Sequence, residues 1–225
     1  MTVVSSVVSP SLRKPFLGAL AKAIAVRDLA TWEHADRVRR YATALARQAG
    51  IEDEHLLQAI EAAALLHDVG KLAIPDGLLD KPGPLTADEY DRVKQHAALG
   101  ADLLTEVSFP GPLADLVRHH HENWDGSGYP DGQIGAEIPI GARILAIADC
   151  YDALTSHRPY RRALNHDSAI AMIHERRGSM FDPELTDSFL QIVWQLRPAS
   201  LGIYRPAPGR PATSRSLVLV GAGSR

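Results

Sequence analysis

Apolar residues recur every three or four positions along most of the chain, which is the spacing of one buried face of an α-helix. The pattern begins at Leu17 and predicts a succession of helices, two of which should stop at Gly50 and Gly70. No stretch alternates apolar and polar residues strongly enough to predict a sheet. We therefore expect an all-α fold.

Capping residues predict where several of these helices begin. Thr86 followed by Glu89 is a capping-box signal, and the helix that it starts should reach about Leu104. Asp167 should cap another helix, and Pro183 suits the first position of the last one. These caps support the helical interpretation of the apolar spacing.

Two neighbouring segments depart from the general pattern in opposite directions. Residues 124–139 are rich in glycine and proline, which predicts a loop rather than a regular element. Residues 140–154 are apolar on nearly all sides of a helix, which is typical of a central, buried helix.

The chain has 225 residues, a length typical of one domain, and we expect a single compact multi-helix domain over residues 15–200. Residues 1–14 begin with a stretch that shows no period, and they are expected to form a lead-in. Residues 201–225 carry four arginines, no acidic residue and many Gly, Pro and Ser residues, which predicts a flexible tail.

Composition and charge exclude several classes of protein. The formal net charge is −3, which implies no general attraction to nucleic acid polymers or to a membrane surface. The apolar stretch 16–26 is interrupted by Lys22 and is too short to span a bilayer. Cys150 is the single cysteine, which excludes an internal disulfide and fits a reducing compartment, so we expect a cytoplasmic protein.

Ten histidines in an otherwise ordinary composition are the first sign of chemistry. Asp149 adds to it, because a carboxylate inside so apolar a helix is costly to bury without a partner. A cation would satisfy several buried imidazole and carboxylate groups at once. The candidate metal ligands, each within or at the end of a predicted helix, are His34, His67, Asp68, His96, His120, His121 and Asp149.

Each of these residues has a simpler explanation when it is taken alone. A single histidine in a helix is usually a core or surface residue, and Asp149 could pair with Arg143. His119 would face solvent or orient a neighbouring ligand, and Glu122 would do the latter or cap the loop. The remaining histidines, His55, His157, His166 and His174, are expected on the surface. The joint pattern nevertheless favours a metal centre.

The types of ligand restrict the metal. Imidazole and carboxylate groups without thiolate suit iron, manganese or zinc. Seven ligands exceed the needs of one tetrahedral zinc, so we expect two metals that share Asp68 as a bridge. Two metals roughly 3.5–4 Å apart can stabilise both the attacking and the leaving oxygen at phosphorus, and they supply hydroxide near neutral pH. The expected chemistry is phosphoester hydrolysis.

Several motifs then point to one family. Residues 67–71 (HDVGK), 120–122 (HHE), 125–130 (DGSGYP) and 158–161 (RPYR) resemble the HD-GYP phosphodiesterases, and the likeness runs from about Ala25 to Phe189. An HD pair alone would be a weak signal, because it also marks the wider group of metal-dependent HD hydrolases. The fold that the resemblance implies is a single HD-domain bundle of the HD-GYP type.

The resemblance also implies an activity. Members of this family hydrolyse cyclic di-GMP to pGpG, and onward hydrolysis to GMP is left open; a hydroxide that bridges the two metals would attack phosphorus. The seven candidate ligands match family positions that bind iron or manganese. Asp68 and Lys71 match catalytic positions, with Lys71 meeting a substrate phosphate, and Tyr129, Arg158 and Arg161 match positions that contact the dinucleotide.

One departure from the family pattern limits the number of metals. Some members carry a glutamate four residues before the first ligand histidine, and a third metal binds there. The corresponding residue here is Ala30, whose methyl group cannot coordinate a metal. We therefore expect two metals rather than three.

Two other functions stay open at this point. The domain could be a non-catalytic sensor of cyclic di-GMP, although such members usually lose ligands and this sequence retains all seven. It could also hydrolyse another cyclic dinucleotide or a nucleotide. Control of either activity would come through a signalling partner protein, through a homodimer formed by the helix at 16–26, or through the redox state of the metals.

Overall fold

The computed structural model describes residues 32–157 and 162–196. Several sequence-based expectations therefore lie outside the described residues: the lead-in at 1–14, the first helix from Leu17, Ala30, Arg158, Arg161 and the tail at 201–225.

Within the described ranges the protein contains α-helices, short 3-10 helices and no strand, which confirms the all-α expectation. The α-helices are α1 (Trp32–Gln48), α2 (Glu54–Leu66), α3 (Asp76–Leu79), α4 (Ala87–Lys94), α5 (His96–Thr105), α6 (Leu113–His119), α7 (Ile140–Thr155), α8 (His166–Glu175) and α9 (Pro183–Ile192). The 3-10 helices are Val69–Ala73, Gly135–Glu137 and Val193–Gln195.

Helix α7 is the centre of the fold. It contacts α1, α2, α6, α8 and α9, and its side chains Ile144, Leu145 and Ile147 are buried in the main apolar core. A helix that is packed by neighbours on all sides has no polar face, which explains the nearly continuous apolar sequence of 140–154. The prediction of a central, buried helix is therefore confirmed.

Three predicted helix boundaries differ from the structure. The capping box of Thr86 and Glu89 is present, but the helix predicted to reach Leu104 divides at Gln95, whose N–H bonds to the carbonyl oxygen of Arg92 at 3.2 Å. This three-residue spacing tightens the chain and ends α4. Helix α2 ends at Leu66 rather than about Val69, and α8 is capped by Asn165 rather than Asp167.

Gly70 lies where the 3-10 helix after α2 packs closely on α5. A Cβ atom at this position would lie 1.9 Å from the carbonyl oxygen of His96 and 2.5 Å from the backbone nitrogen of Gly100. Backbone atoms cannot move away as a flexible side chain would, so only glycine fits here. This contact places the segment with His67 and Asp68 against the helix that begins with His96.

We expect Gly70→Ala to lower the free energy of unfolding by about 3 kcal/mol, because the added methyl group forces two packed backbone segments apart. Chemical denaturation followed by circular dichroism measures the change. Gly77→Ala is the matched control, since a Cβ atom there meets nothing within 4 Å. Equal stability of the two variants would contradict the packing argument.

No helix in the described part of the chain is both long enough and apolar enough to span a membrane.

Candidate metal centre

The predicted ligands lie at one end of the bundle, most of them where a helix begins or ends. His67 and Asp68 follow the last residue of α2, and His96 is the first residue of α5. His120 and His121 follow the last residue of α6. His34 lies in the first turn of α1, and Asp149 lies in α7. Helix ends bring side chains from distant parts of the sequence to one place.

Three of these residues, His34, His67 and Asp68, form a first group. Each offers one ligand atom, and these atoms lie within 4.8 Å of one another. The Asp149 carboxylate adds to the group, because its Oδ1 lies 3.4 Å from Nε2 of His34 and 3.9 Å from Nε2 of His67. The alternative partner for Asp149, Arg143, instead pairs with Asp182 at 2.6 Å. The predicted alternative that Asp149 pairs with Arg143 is therefore wrong.

His96, His120 and His121 form a second group, again with ligand atoms within 4.8 Å of one another. The two adjacent rings of His120 and His121 have centroids 4.0 Å apart, and the His96 ring lies 5.5 Å and 5.1 Å from them. His67 connects the groups, since its ring centroid is 5.3 Å from that of His120. The two groups are thus neighbouring parts of one cluster.

Asp68 belongs to the first group and also faces the second. Its Oδ2 is 3.4 Å from Nε2 of His67, and its Oδ1 is 3.5 Å from Nε2 of His96. Burial alone would raise the pKa of this carboxyl, but Lys71 and the two histidines outweigh burial and hold the pKa well below its usual range. An ionised carboxylate with one oxygen toward each group has the arrangement expected of a bridging ligand.

Hydrogen bonds orient the imidazole rings. The Nδ1 atoms of His67, His96 and His120 lie 3.0, 2.7 and 2.6 Å from backbone carbonyl oxygens three residues earlier. A carbonyl accepts only, so each Nδ1 must carry the proton and donate, which leaves Nε2 with a free lone pair. The Nε2 atoms of His96 and His120 are buried without a hydrogen-bond partner.

The charge state of the second group suits cation binding. Burial lowers the pKa of both His120 and His121 well below the usual value, and the neighbouring histidines add to this effect. Neutral imidazoles with inward lone pairs are the form that binds metals. The residues present therefore fit divalent cations, on the evidence of unpartnered Nε2 atoms and a donor set of imidazoles and carboxylates.

Asp152 is a functional residue that the sequence analysis did not single out. Its Oδ2 accepts from Nδ1 of His34 at 2.6 Å, and its side chain also pairs with Arg37 and Ser156. Burial opposes protonation of His34, but Asp152 and Asp149 outweigh burial and raise the pKa of His34. The sequence signals for Asp152 were its position in α7, three residues after Asp149, and the likeness of residues 152–155 to the HD-GYP family.

Lys71 lies beside the bridging carboxylate. Its Nζ is 2.8 Å from Oδ2 of Asp68, one turn after the histidine–aspartate pair, as the sequence predicted. The other two predicted cationic contacts, Arg158 and Arg161, fall outside the described residues.

Tyr129 is held against the second group by its loop. Its ring centroid lies 4.8 Å from that of His121, with the planes inclined by 32°, and burial raises the pKa of its hydroxyl. Glu122 is 2% exposed, and its Oε1 accepts from the backbone N–H groups of Asp131 and Gly132 at 2.7 and 3.0 Å. Of the two roles considered for Glu122, the structure therefore shows the loop cap.

His119 and His166 are both less exposed than surface histidines. Of the two roles considered for His119, exposure to solvent is wrong, because the residue is 5% exposed, with Nε2 placed 2.9 Å from Oδ2 of Asp131. His166 is half-buried rather than on the surface, with Nδ1 placed 2.7 Å from the hydroxyl of Tyr151. His55, His157 and His174 are exposed, as predicted.

Comparison with known proteins identifies relatives of this chain. A family model described as the HD domain matches residues 18–185. The cyclic di-GMP phosphodiesterase response regulator RpfG of Xanthomonas campestris is 44% identical over 197 residues, which are 87% of this chain and 52% of that protein. A cyclic di-GMP phosphodiesterase of Thermotoga maritima is 39% identical over 168 residues, which are 74% of this chain and 45% of that protein.

A third relative carries a different substrate in its name. The 3′3′-cGAMP-specific phosphodiesterase 3 of Vibrio cholerae is 40% identical over 166 residues, which are 74% of this chain and 36% of that protein. The chain spans about half or less of the length of these three relatives.

Solved structures agree with the fold. A cyclic GMP-AMP specific phosphodiesterase of Vibrio cholerae superposes with a TM-score of 0.65 and 20% identity, covering 82% of this chain and 50% of that one. An HDGYP protein of Bdellovibrio bacteriovorus gives a TM-score of 0.61 and 18% identity, covering 82% of this chain and 63% of that one. The chain belongs to the HD domain family, and its motifs and relatives make it a member of the HD-GYP type.

Proposed function

We propose that this protein is a metal-dependent phosphodiesterase that hydrolyses cyclic di-GMP to pGpG. The observation that carries the proposal is the position of Asp68, with one oxygen toward His67 and the other toward His96. Two neighbouring cations can stabilise both the attacking and the leaving oxygen when a phosphodiester is hydrolysed. Relatives named for cyclic di-GMP hydrolysis support the choice of substrate.

Two divalent cations, iron or manganese, are the proposed cofactors. One cation would be bound by His34, His67 and Asp149. The other would be bound by His96, His120 and His121, and Asp68 would bind both. When bound, such a pair supplies Lewis acidity at phosphorus and makes water more acidic. Imidazole and carboxylate ligands without thiolate suit these metals. The number of two rests on Ala30, which offers no ligand atom.

The proposed substrate contacts come from cationic and aromatic side chains near the cluster. Lys71 would bind a phosphate oxygen, since its ammonium already lies beside the bridging carboxylate. Tyr129 would contact a guanine base from its place over His121. Lys94, whose Nζ lies 5.9 Å from the centre of the Tyr129 ring, adds a second cation at this edge. Arg158 and Arg161 are proposed contacts on the family motif alone.

A second candidate substrate is 3′3′-cGAMP. The relative of that specificity is as similar to this chain, at 40% identity, as the one from Thermotoga maritima at 39%. Both substrates offer the same phosphodiester chemistry and differ in one base. A non-catalytic sensor is the weaker alternative, because every proposed ligand is present and brought together.

The test loads the purified protein with manganese or ferrous iron without oxygen, measures metal per chain, and compares hydrolysis of cyclic di-GMP and 3′3′-cGAMP. We expect two metals per chain, faster hydrolysis of cyclic di-GMP, and pGpG as the first product. Removal of the metals by a chelator should abolish activity. Binding without turnover would favour the sensor, and equal inactivity of wild type and His67→Ala would contradict the enzyme.

Replacing Asp152 should weaken binding of the cation held by His34. We expect Asp152→Asn to lower metal affinity about 10- to 100-fold, since the carboxylate orients the imidazole and raises its basicity. Competition with a metal-binding dye measures this. Ser156→Ala is the matched control, because it removes a contact of Asp152 without touching His34. Equal affinities in the two variants would contradict the positioning role.

Location and control of the activity stay predictions. A cytoplasmic location is proposed because a chain with one cysteine fits a reducing compartment. Control of the activity by a homodimer or by a signalling partner protein is also proposed. Cyclic di-GMP is the proposed small-molecule partner.

A further inference from the structure

The loop that carries Tyr129 is anchored by a charged side chain that none of the motifs includes. Asp131 receives two parallel hydrogen bonds from Arg118, from Nε to Oδ2 at 2.7 Å and from Nη2 to Oδ1 at 2.8 Å. The Nε2 atom of His119 lies 2.9 Å from the same Oδ2. Paired contacts between a guanidinium and a carboxylate fix direction as well as distance. The anchor is therefore a defined geometry rather than a loose attraction.

The same residue is also held through its backbone. The N–H of Asp131 donates to Oε1 of Glu122 at 2.7 Å, and Glu122 is buried. Only Pro130 separates Asp131 from Tyr129, and the N–H of Tyr129 donates to the carbonyl oxygen of His121 at 3.2 Å. The tyrosine is thus fixed on both sides, at the second metal-binding histidine and at Asp131.

The position of the anchor along the chain is what links it to the site. Arg118 and His119 immediately precede His120 and His121. Residues 118–121 therefore have two roles. The first two hold the loop, and the last two belong to the second ligand group. A shift of the loop relative to this stretch would move the Tyr129 ring relative to His121, over which it lies at 4.8 Å.

We propose that Asp131 is a positioning residue for substrate: by pairing with Arg118 and His119 it holds Tyr129 over the second ligand group and so sets the affinity for the cyclic dinucleotide. This inference rests on the proposed function. Asp131 itself does not touch the ligand groups or the reacting atoms. Its contribution acts through the aromatic ring that the substrate would contact.

An exposed ion pair between α9 and the turn after α8 offers a matched comparison. Arg177 and Asp187 form the same two-bond arrangement at 2.8 and 2.7 Å, and both pairs are partly exposed. Exposed pairs of this kind usually contribute little to stability. Any effect that Asp131→Asn shows beyond that of Asp187→Asn therefore reflects the place of the anchor, not the loss of a surface ion pair.

The experiment compares KM, kcat and metal content of wild type, Asp131→Asn and Asp187→Asn with manganese-loaded protein and cyclic di-GMP. We expect Asp131→Asn to raise KM about tenfold, as for loss of a charged hydrogen bond, with kcat within about twofold and metal per chain unchanged. Asp187→Asn should match wild type. Equal KM values in the two variants, or loss of metal in Asp131→Asn, would overturn the inference.

A double variant tests whether Asp131 acts through the tyrosine. If it does, Tyr129→Ala with Asp131→Asn should have the KM of Tyr129→Ala alone, because the anchored ring is already absent. Effects that multiply would overturn the inference even if Asp131→Asn raises KM.

Calorimetric binding of cyclic di-GMP to the same variants separates the two claims. A wild type that binds without turnover contradicts the proposed hydrolysis, and the dissociation constants then decide the role of Asp131 in place of KM. A wild type that neither binds nor hydrolyses contradicts both claims. Normal wild-type activity with no change in Asp131→Asn contradicts the inference alone.

Discussion

Asp68→Asn is expected to lower kcat for cyclic di-GMP by about 10³-fold or more, with less than two metals bound per chain. The carboxylate faces both ligand groups, 3.4 Å from His67 and 3.5 Å from His96. An amide is neutral and offers one good acceptor oxygen, so it cannot serve two cations. Lewis acidity from the cations lowers the activation free energy by several kcal/mol, and losing it would slow the reaction by about this factor. Steady-state kinetics and elemental analysis measure both effects.

Asp53→Asn controls for the same chemical change. Asp53 caps α2 from an exposed position, and asparagine is an equally good capping residue. This variant should keep wild-type activity and metal content. Two metals per chain together with full activity in Asp68→Asn would rule out a bridging role.

Lys71→Gln is expected to lower kcat about 100-fold while both metals stay bound. The loss would follow from removing a charged donor that is proposed to contact the reacting phosphate, and one such donor usually changes the rate by this amount or more. If Lys71 only neutralises Asp68, its removal should instead change metal affinity. Measuring kcat and metal content together distinguishes these two roles.

Lys81→Gln is the matched control for Lys71→Gln. Lys81 also pairs with a carboxylate, that of Glu89. Lys81 lies in the connection between α3 and α4, and Glu89 lies in α4, so neither belongs to the ligand cluster. We expect wild-type kinetics in this variant. If Lys71→Gln has the same kcat as Lys81→Gln, then Lys71 does not contact the transition state.

The sequence predicted the ligand cluster because its members stand in apolar surroundings. A carboxylate such as Asp149 within a buried helix requires a partner, and that requirement can be recognised from neighbouring residues alone. The structure brings all seven predicted ligands together. What the sequence could not predict was their division into two groups, because it depends on how separate helix ends approach one another.

Residues that support the cluster were harder to predict. Asp152 contacts His34, which is 118 positions away in the chain, and Asp131 is a polar residue in a loop where polar residues are common. Asp152 interrupts the apolar pattern of its helix as Asp149 does, but neighbouring residues alone do not identify the partner of either Asp152 or Asp131. Their roles arise only from long-range contacts.

The helical pattern also gave a wrong prediction where tertiary packing opposed it. The apolar spacing after Thr86 continues past Gln95 and predicts one helix, yet the chain tightens there and starts a second helix at His96. The close approach at Gly70 demands this path, because the backbone of His96 must lie against the glycine. Tertiary packing therefore overrides helical continuity at a residue of the candidate site.

The manner in which the imidazoles are oriented has an evolutionary consequence. The rings of His67, His96 and His120 are held by main-chain oxygens, which every amino acid supplies, so mutation of the side chains at those carbonyl positions leaves the correct tautomer in place. His34 depends on the carboxylate of Asp152, which a single nucleotide change can remove. Drift in this domain should therefore disturb the ligand group that contains His34 first, and the group of His96, His120 and His121 should persist longest.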